Sequence, residues 1–367
     1  MSVEYYLSLL QNNKEELISK SSEIARKNYG NEITFSRNIF IPVTRQCRNR
    51  CSYCGFVSDD PESWITKDQY LLMLKQAKEE KCSEILLTLG EKPEEKYQSA
   101  RDFLAEQGFS STFEYIHYFC EIALSQLLLP HSNLGILSYK ELEYLKECNA
   151  SLGLMLESIS DRLLSEGEAH QHSLGKKPSL RLEVIENAGK LKIPFTTGIL
   201  VGIGETLEER IESLDVLAKL SKKYQHIQEV IVQNFNPQQG TLMQNNLPPS
   251  DEEYLDSVSL ARCILPSQVS VQIPPNLNRE RIIESLKCGA NDLGGISPIS
   301  TDYINPDMKW HREEELRLDL EKQGYFLKER LPVYPQYEKY LSNRIRKIIE
   351  DNYRNEEAFS PENRRSV

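Results

Sequence analysis

NIFIPVTRQCRNRCSYCGF, residues Asn38–Phe56, is the stretch from which the rest of the chain is read. An apolar run, Ile39 to Val43, feeds a loop that carries Cys47, Cys51 and Cys54 in the spacing C-x3-C-x2-C. Three thiolates on one loop can hold three irons of a four-iron cluster. The fourth iron then stays open to a substrate, whereas four cysteine ligands are the electron-transfer arrangement. A structural zinc site closes with four ligands, usually in two nearby pairs. Here the next cysteine is Cys82 and no histidine precedes His117. Three thiols so close together also leave one odd, which argues against a disulfide framework. The spacing therefore favours an open iron–sulfur cluster over zinc or buried thiols.

The chain has 367 residues, enough for one large α/β domain or two small ones. With 44 basic and 55 acidic residues its net charge is −11, which disfavours a nucleic-acid or anionic-membrane surface. The longest apolar runs are too short to span a bilayer. The opening Met1-Ser-Val-Glu-Tyr-Tyr lacks the layout of a secretory signal. Cys82, Cys120, Cys148, Cys263 and Cys288 are scattered and read as buried, reduced thiols. The expected setting is the reducing cytoplasm.

Residues 4–30 read as one or two helices, part of an N-terminal cap over residues 1–35. Strands are expected at 39–43, 84–91, about 133–137, 150–158, 195–202, 229–235, 268–273 and 291–297. Between them, helices are expected at 66–81, 113–125, 140–148, 179–191, 207–224, 251–263 and 279–287. The strands are nearly continuously apolar, as strands covered on both faces are. Eight strands alternating with helices predict an α/β fold, a (β/α)8 TIM-type barrel over residues 36–310. Residues 311–367 read as a charged, mostly helical C-terminal extension, fraying from about Glu356.

Active sites of such barrels gather at the C-terminal ends of the strands, and the cysteine loop follows the first strand. Gly90-Glu91 ends the second strand and Glu157 the fourth. Glu157 can accept from ribose hydroxyls, or pair with a basic side chain on the rim. Arg181 can meet a carboxylate, or stand in solvent. Gly198 to Glu205 is glycine-rich but lacks a complete phosphate-binding fingerprint. Gly202 permits close approach to a ligand or a tight turn, and the turn is the preferred reading for Glu205. Gln233, Asn234, Asn236, Asn276, Asn291, Asp292 and Ser297 offer neutral donors and acceptors to a substrate, or face water. His170 and Lys176 are candidates to hold substrate or move protons, with solvent-facing loop positions as the alternative. His117, His131, His226 and His311 show no companion group and read as structural. Tyr53 and Phe56 read as packing around the cluster.

C-x3-C-x2-C with Tyr53 just before the last cysteine resembles the radical S-adenosylmethionine (SAM) enzymes. Three longer strings, CRNRCSYCGF at 47–56, EAHQHSLGKKP at 168–178 and NDLGGISP at 291–298, resemble the branch of that family that closes a deazaflavin ring. The resemblance implies a 4Fe-4S cluster on Cys47, Cys51 and Cys54, with Tyr53 beside it. It implies SAM held at its ammonium by Gly90 and Glu91, at its ribose by Glu157 and at its carboxylate by Arg181. Gly202 and the edge from Val232 to Phe235 would then meet the adenine. The implied substrate is a small molecule, a tyrosine-derived hydroxybenzyl group joined to a ribityl diaminouracil and supplied by a companion radical SAM subunit. An electron donor such as ferredoxin or flavodoxin is implied as well. The rivals are another barrel-type radical SAM enzyme (the joining subunit, a tyrosine lyase, a biotin-synthase-like enzyme) and a non-catalytic electron carrier.

Overall fold

Strand β1 (Glu32–Pro42) is twice as long as its apolar run, because its lower half has partners of its own. The other strands are β2 (Glu84–Thr88), β3 (Leu129–Asn133), β4 (Ser151–Gly153), β5 (Phe195–Val201), β6 (Ile227–Asn234), β7 (Ser270–Gln272), β8 (Asp292–Ile296) and β9 (Phe326–Arg330). The computed structural model describes residues 2–354. All pairings between these strands are parallel, in the order β2 to β8, then β1 and β9, and a β1–β2 pairing closes eight of them into a barrel. Asn38–Pro42 of β1 pair with β2, while Glu32–Ser36 pair with β9 below it.

Helices cover the outside because each crossover must return to the same end of a parallel sheet. Their starts are set locally. Thr66 with Gln69, Ser138 with Glu141 and Thr206 with Glu209 form reciprocal capping boxes, which satisfy amides that the first helical turn leaves open. One helix, Gln98–Gln107, has no counterpart in the sequence reading. The third strand is also displaced from its expected place at 133–137 to Leu129–Asn133. Its sequence LPHSN carries His131 and Asn133 on one face, so the apolar signal used to find strands was missing. The helices Val3–Asn12 and Lys14–Tyr29 lie against the barrel's side, where the Tyr6 hydroxyl donates to Cys263 O at 3.0 Å.

The C-terminal segment is more than a helical extension. After the helix Glu313–Lys322 it adds β9 and then crosses the floor of the barrel. Arg330 enters the floor and donates from Nε to Asp292 Oδ2 and from Nη2 to Glu229 Oε2, each at 2.7 Å. The Tyr334 hydroxyl donates to Asp292 Oδ2 at 2.8 Å, and Pro332 O accepts from Ser151 Oγ and Gln228 Nε2 at 2.7 and 2.9 Å. Burial, opposed by Arg330, pushes Glu229 up to about 7. Burial also acts against ionisation of Asp292, but Arg330 outweighs it and holds that carboxyl below its usual range. The fraying expected from Glu356 lies outside the described residues.

Candidate active site

The cysteine loop is held from below by the end of β2. Gly90 N donates to Thr44 O, and Arg48 N to Glu91 O, both at 2.9 Å. Glu91 N reaches Cys47 Sγ at 3.1 Å. Glycine is required at position 90, since a Cβ there would stand 2.0 Å from Gln46 O. The Glu91 carboxylate is buried and accepts from Arg48 Nε and Nη2 at 2.8 and 2.6 Å. Glu91 is thus a buried brace for the loop. On the far side, Arg45 clasps the loop's exit, donating from Nε to Phe56 O at 2.8 Å.

A second loop, residues 168–177, runs alongside. Ser52 N donates to Ala169 O at 2.8 Å, and Arg50 N to His172 O at 3.0 Å. Gly175 N donates to Asn49 Oδ1 at 3.0 Å, and a Cβ on Gly175 would meet Glu91 Oε1 at 2.1 Å. These contacts bring His170 and Lys176 to Tyr53. The Tyr53 hydroxyl lies 3.1 Å from His170 Nε2, and Lys176 Nζ sits 6.0 Å from the centre of the tyrosine ring. Burial lowers His170 to about 3, so its imidazole is neutral, and burial next to Glu157 raises Tyr53 well above its ordinary range.

Glu157 closes the chain of contacts, pairing with Lys176 Nζ at 2.5 Å. Its φ of +66° is in the left-handed region, an unfavourable place for a residue with a Cβ. Backbone bonds hold it there, Glu157 N to Gly198 O at 3.1 Å and Leu200 N to Glu157 O at 2.9 Å. Burial works against its charge, but Lys176 and Arg181 prevail and keep it ionised. Arg181 is buried and not solvated, and its Nε donates to Gly175 O at 3.0 Å. Gly202 has φ +95° and its N donates to Glu205 Oε1 at 2.9 Å, so Glu205 builds the turn.

Four expected contact residues bond within the fold. Asn291 precedes β8 and Asp292 begins it, at the closed floor and not at the mouth. Asn291 Oδ1 accepts from Arg262 Nη2 and Val271 N at 2.6 and 2.9 Å, and Asp292 serves Arg330 and Tyr334. Strand alternation turns Val232 and Asn234 outward, opposite to Glu229 and Gln233. Val232 O accepts from the Tyr254 hydroxyl at 3.0 Å, and Asn234 Oδ1 accepts from Asn278 Nδ2 at 3.1 Å. Gln233 shares the inward face with Glu229. Phe235 packs with Leu163, Leu200, Ile203 and Met243 beside Tyr53.

Asn276 and Ser297 lie at the mouth but spend bonds on the loop after β8. Asn276 Nδ2 donates to Asp302 Oδ2 at 2.8 Å, and Ser297 Oγ accepts from Ser300 N at 3.0 Å. His117 does have companions, since its ligand atoms and those of Glu121 and Cys148 lie within 4.8 Å of one another. The sequence reading missed Arg48, Asn49 and the inward Asn38, Asn133 and Gln272. Alternate positions on the strands would have marked the last three.

The three cysteines suit an iron–sulfur group. They share one loop braced on both sides, and a backbone amide already points at Cys47 Sγ. Burial, with Cys51 beside it, pushes the Cys54 thiol up to about 12, and burial raises Cys47 as well. Metal binding must displace those protons.

Residues 41–217 match the model of the Radical SAM superfamily. The chain is 48% identical to the 7,8-didemethyl-8-hydroxy-5-deazariboflavin synthase of Methanothermobacter thermautotrophicus over 88% of this chain and 98% of that one. It is 49% identical to the enzyme of that name from Archaeoglobus fulgidus, over 84% and 92%. Among solved structures it is similar to the FeFe-hydrogenase maturase HydG of Carboxydothermus hydrogenoformans, with a TM-score of 0.72 at 20% identity over 98% and 88%. It is also similar to methylornithine synthase PylB, with a TM-score of 0.71 at 19% identity over 93% and 96%. These two show the fold. The chain belongs to the radical SAM superfamily and, within it, to the 7,8-didemethyl-8-hydroxy-5-deazariboflavin synthases.

Proposed function

We propose that this enzyme is the ring-closing half of a deazariboflavin synthase. Its substrate is 5-amino-5-(4-hydroxybenzyl)-6-(D-ribitylimino)-5,6-dihydrouracil, and its product is 7,8-didemethyl-8-hydroxy-5-deazariboflavin, formed with loss of ammonia and a two-electron oxidation in which SAM is the oxidant and leaves as 5′-deoxyadenosine and methionine. Cys47, Cys51 and Cys54 hold a 4Fe-4S cluster with one iron open. The chemistry supplied there, once cluster and SAM are bound, is one-electron cleavage of the sulfonium to methionine and a 5′-deoxyadenosyl radical. Glu91 and Arg48 keep the cysteine loop in place, and the Gly90-Glu91 edge would hold the SAM ammonium. Glu157, held ionised, accepts from the ribose hydroxyls, and Arg181 faces the SAM carboxylate. Tyr53, His170 and the Phe235 cluster wall the site from water.

The observation that carries this reading is the single C-x3-C-x2-C loop, set at the mouth of one barrel in a deazariboflavin-synthase chain. One such loop serves one radical reaction, so a companion subunit must join tyrosine to the ribityl diaminouracil. A ferredoxin or flavodoxin supplies the electron. The test is anaerobic reconstitution with iron and sulfide, then dithionite, SAM and the tyrosine–uracil adduct. The expected result is 5′-deoxyadenosine together with the fluorescence of the deazaflavin. Formation of 5′-deoxyadenosine without that product would move the enzyme to another radical reaction. No 5′-deoxyadenosine at all would leave an electron carrier.

A further inference from the structure

The interior of a (β/α)8 barrel is usually filled by layers of branched side chains. Here the registers put glycine at mid-height. Gly153 is paired with Thr196, which bonds the inward Glu229, and Gly198 follows Thr196 by two residues on the same face. Gly294 likewise follows the inward Asp292 by two residues. Side chains from neighbouring strands occupy the space that branched residues would fill, Met155 over Gly198 and amides over Gly153 and Gly294.

A Cβ on Gly295 would fall 2.0 Å from Asn38 Nδ2, one on Gly294 2.0 Å from Gln272 Nε2, and one on Gly153 2.0 Å from Asn133 Oδ1. Three amides, from β1, β7 and β3, thus each rest on a glycine of an adjacent strand. Packing does not account for this. Asn38 is 1% exposed and its Oδ1 has no hydrogen-bond partner. A buried acceptor left unpaired is costly, and an apolar residue of similar size would avoid the cost. Beneath them Arg330 is held by Asp292 and Glu229, and Glu84, level with Asn38 on the neighbouring strand, is buried with no ion pair among the described residues. The lumen therefore offers a ligand several amide edges.

Resting on the function proposed above, we infer that Asn38, Gln272 and Asn133 form a recognition site for the ribityl–uracil portion of the substrate, and that Asn38 determines specificity there. A cyclic ureide presents N–H and C=O groups side by side, as an amide does, so the two edges pair in both directions. The hydroxybenzyl portion has a flat apolar ring and a single hydroxyl, and fits the Phe235 cluster nearer the mouth.

The test is calorimetric binding of two fragments, a ribityl diaminouracil and 4-methylphenol, to the full-length protein and to Asn38→Ala and Asn38→Asp. Asn38→Asp keeps the shape, and thermal denaturation confirms folding of both variants. Wild type is expected to bind the ribityl diaminouracil, and both variants to bind it about tenfold more weakly. Binding of 4-methylphenol should stay the same. Gly295→Ala, which displaces Asn38, should reproduce the selective loss. Unchanged affinity in the variants, or no binding of the ribityl diaminouracil by wild type, would overturn the inference. If the fragments behave as expected but the reconstituted enzyme fails to convert the adduct, the proposed function fails and the recognition site stands.

Discussion

Lys176 Nζ and Glu157 Oε1 form a buried ion pair at the barrel mouth, joining the loop over the cysteines to the strand end that faces them. The two side chains come from separate expectations, one a possible proton-transfer group and the other a ribose acceptor. Removing either partner of a buried pair leaves the other uncompensated, at a cost of about 3 kcal/mol or more. Lys176→Met should therefore lower the thermal midpoint and weaken SAM binding in calorimetry. Glu157→Gln should do the same. The double variant should recover part of the lost stability, and strictly additive losses would show that the pair is not coupled.

Loading of the cysteine loop should depend on its brace as much as on its thiols. Serine at Cys47, Cys51 or Cys54 should reduce iron per chain to background after reconstitution, with the fold retained. Gly90→Ala should also reduce iron content severely, because its Cβ would push against the Gln46 carbonyl. Glu91→Gln should give an intermediate value, since it loses the charge that orients Arg48. Full iron content in Gly90→Ala, measured by metal analysis, would contradict this account of the loop.

At the floor, Arg330 is paired with both Glu229 and Asp292. Arg330→Met should leave two buried carboxylates without a cation and destabilise the barrel by about 3 to 5 kcal/mol. Denaturant titration measures this directly. The loss should be larger at pH 8 than at pH 5, because Glu229, already up at about 7 with Arg330 present, becomes neutral at the lower pH.

His226 sets one component of acid sensitivity. Its Nε2 donates to Ile185 O at 2.9 Å, while its Nδ1 is buried with no partner. Burial holds its pKa down at about 4. The unfolded chain, with a histidine of ordinary pKa, takes up a proton first as pH falls. Stability from this residue is therefore present above about 6.5 and is lost as pH falls toward 4, to a limit of about 3 kcal/mol. His226→Gln should flatten the fall in thermal midpoint between pH 7 and pH 4, and an unchanged slope would refute the assignment.

Much of the site was legible in sequence because its residues are local. The cysteine spacing, Gly90-Glu91 and Glu157 each lie at a strand end found from apolar runs, and all three reached the mouth. Other residues were misread for lack of depth and direction. Asn291 and Asp292 belong to the expected eighth strand, but they start it, and a strand's start is the floor of a parallel barrel. Val232 and Asn234 lie on the expected sixth strand with side chains turned outward, a direction the sequence reading did not assign. Arg48 was invisible as a partner for Glu91, because their contact spans 43 positions.

The sequence by itself determined the alternation of strands and helices, hence the parallel barrel, and it placed three thiols after the first strand. Those properties follow from periodicity and near-neighbour spacing. Only the tertiary structure decided that residues 326–337 seal the floor, that glycines seat amide side chains at mid-height and that Asn38 Oδ1 is buried there without a partner. These depend on register and on contacts between residues far apart in the chain, which closing the barrel creates and no local pattern records.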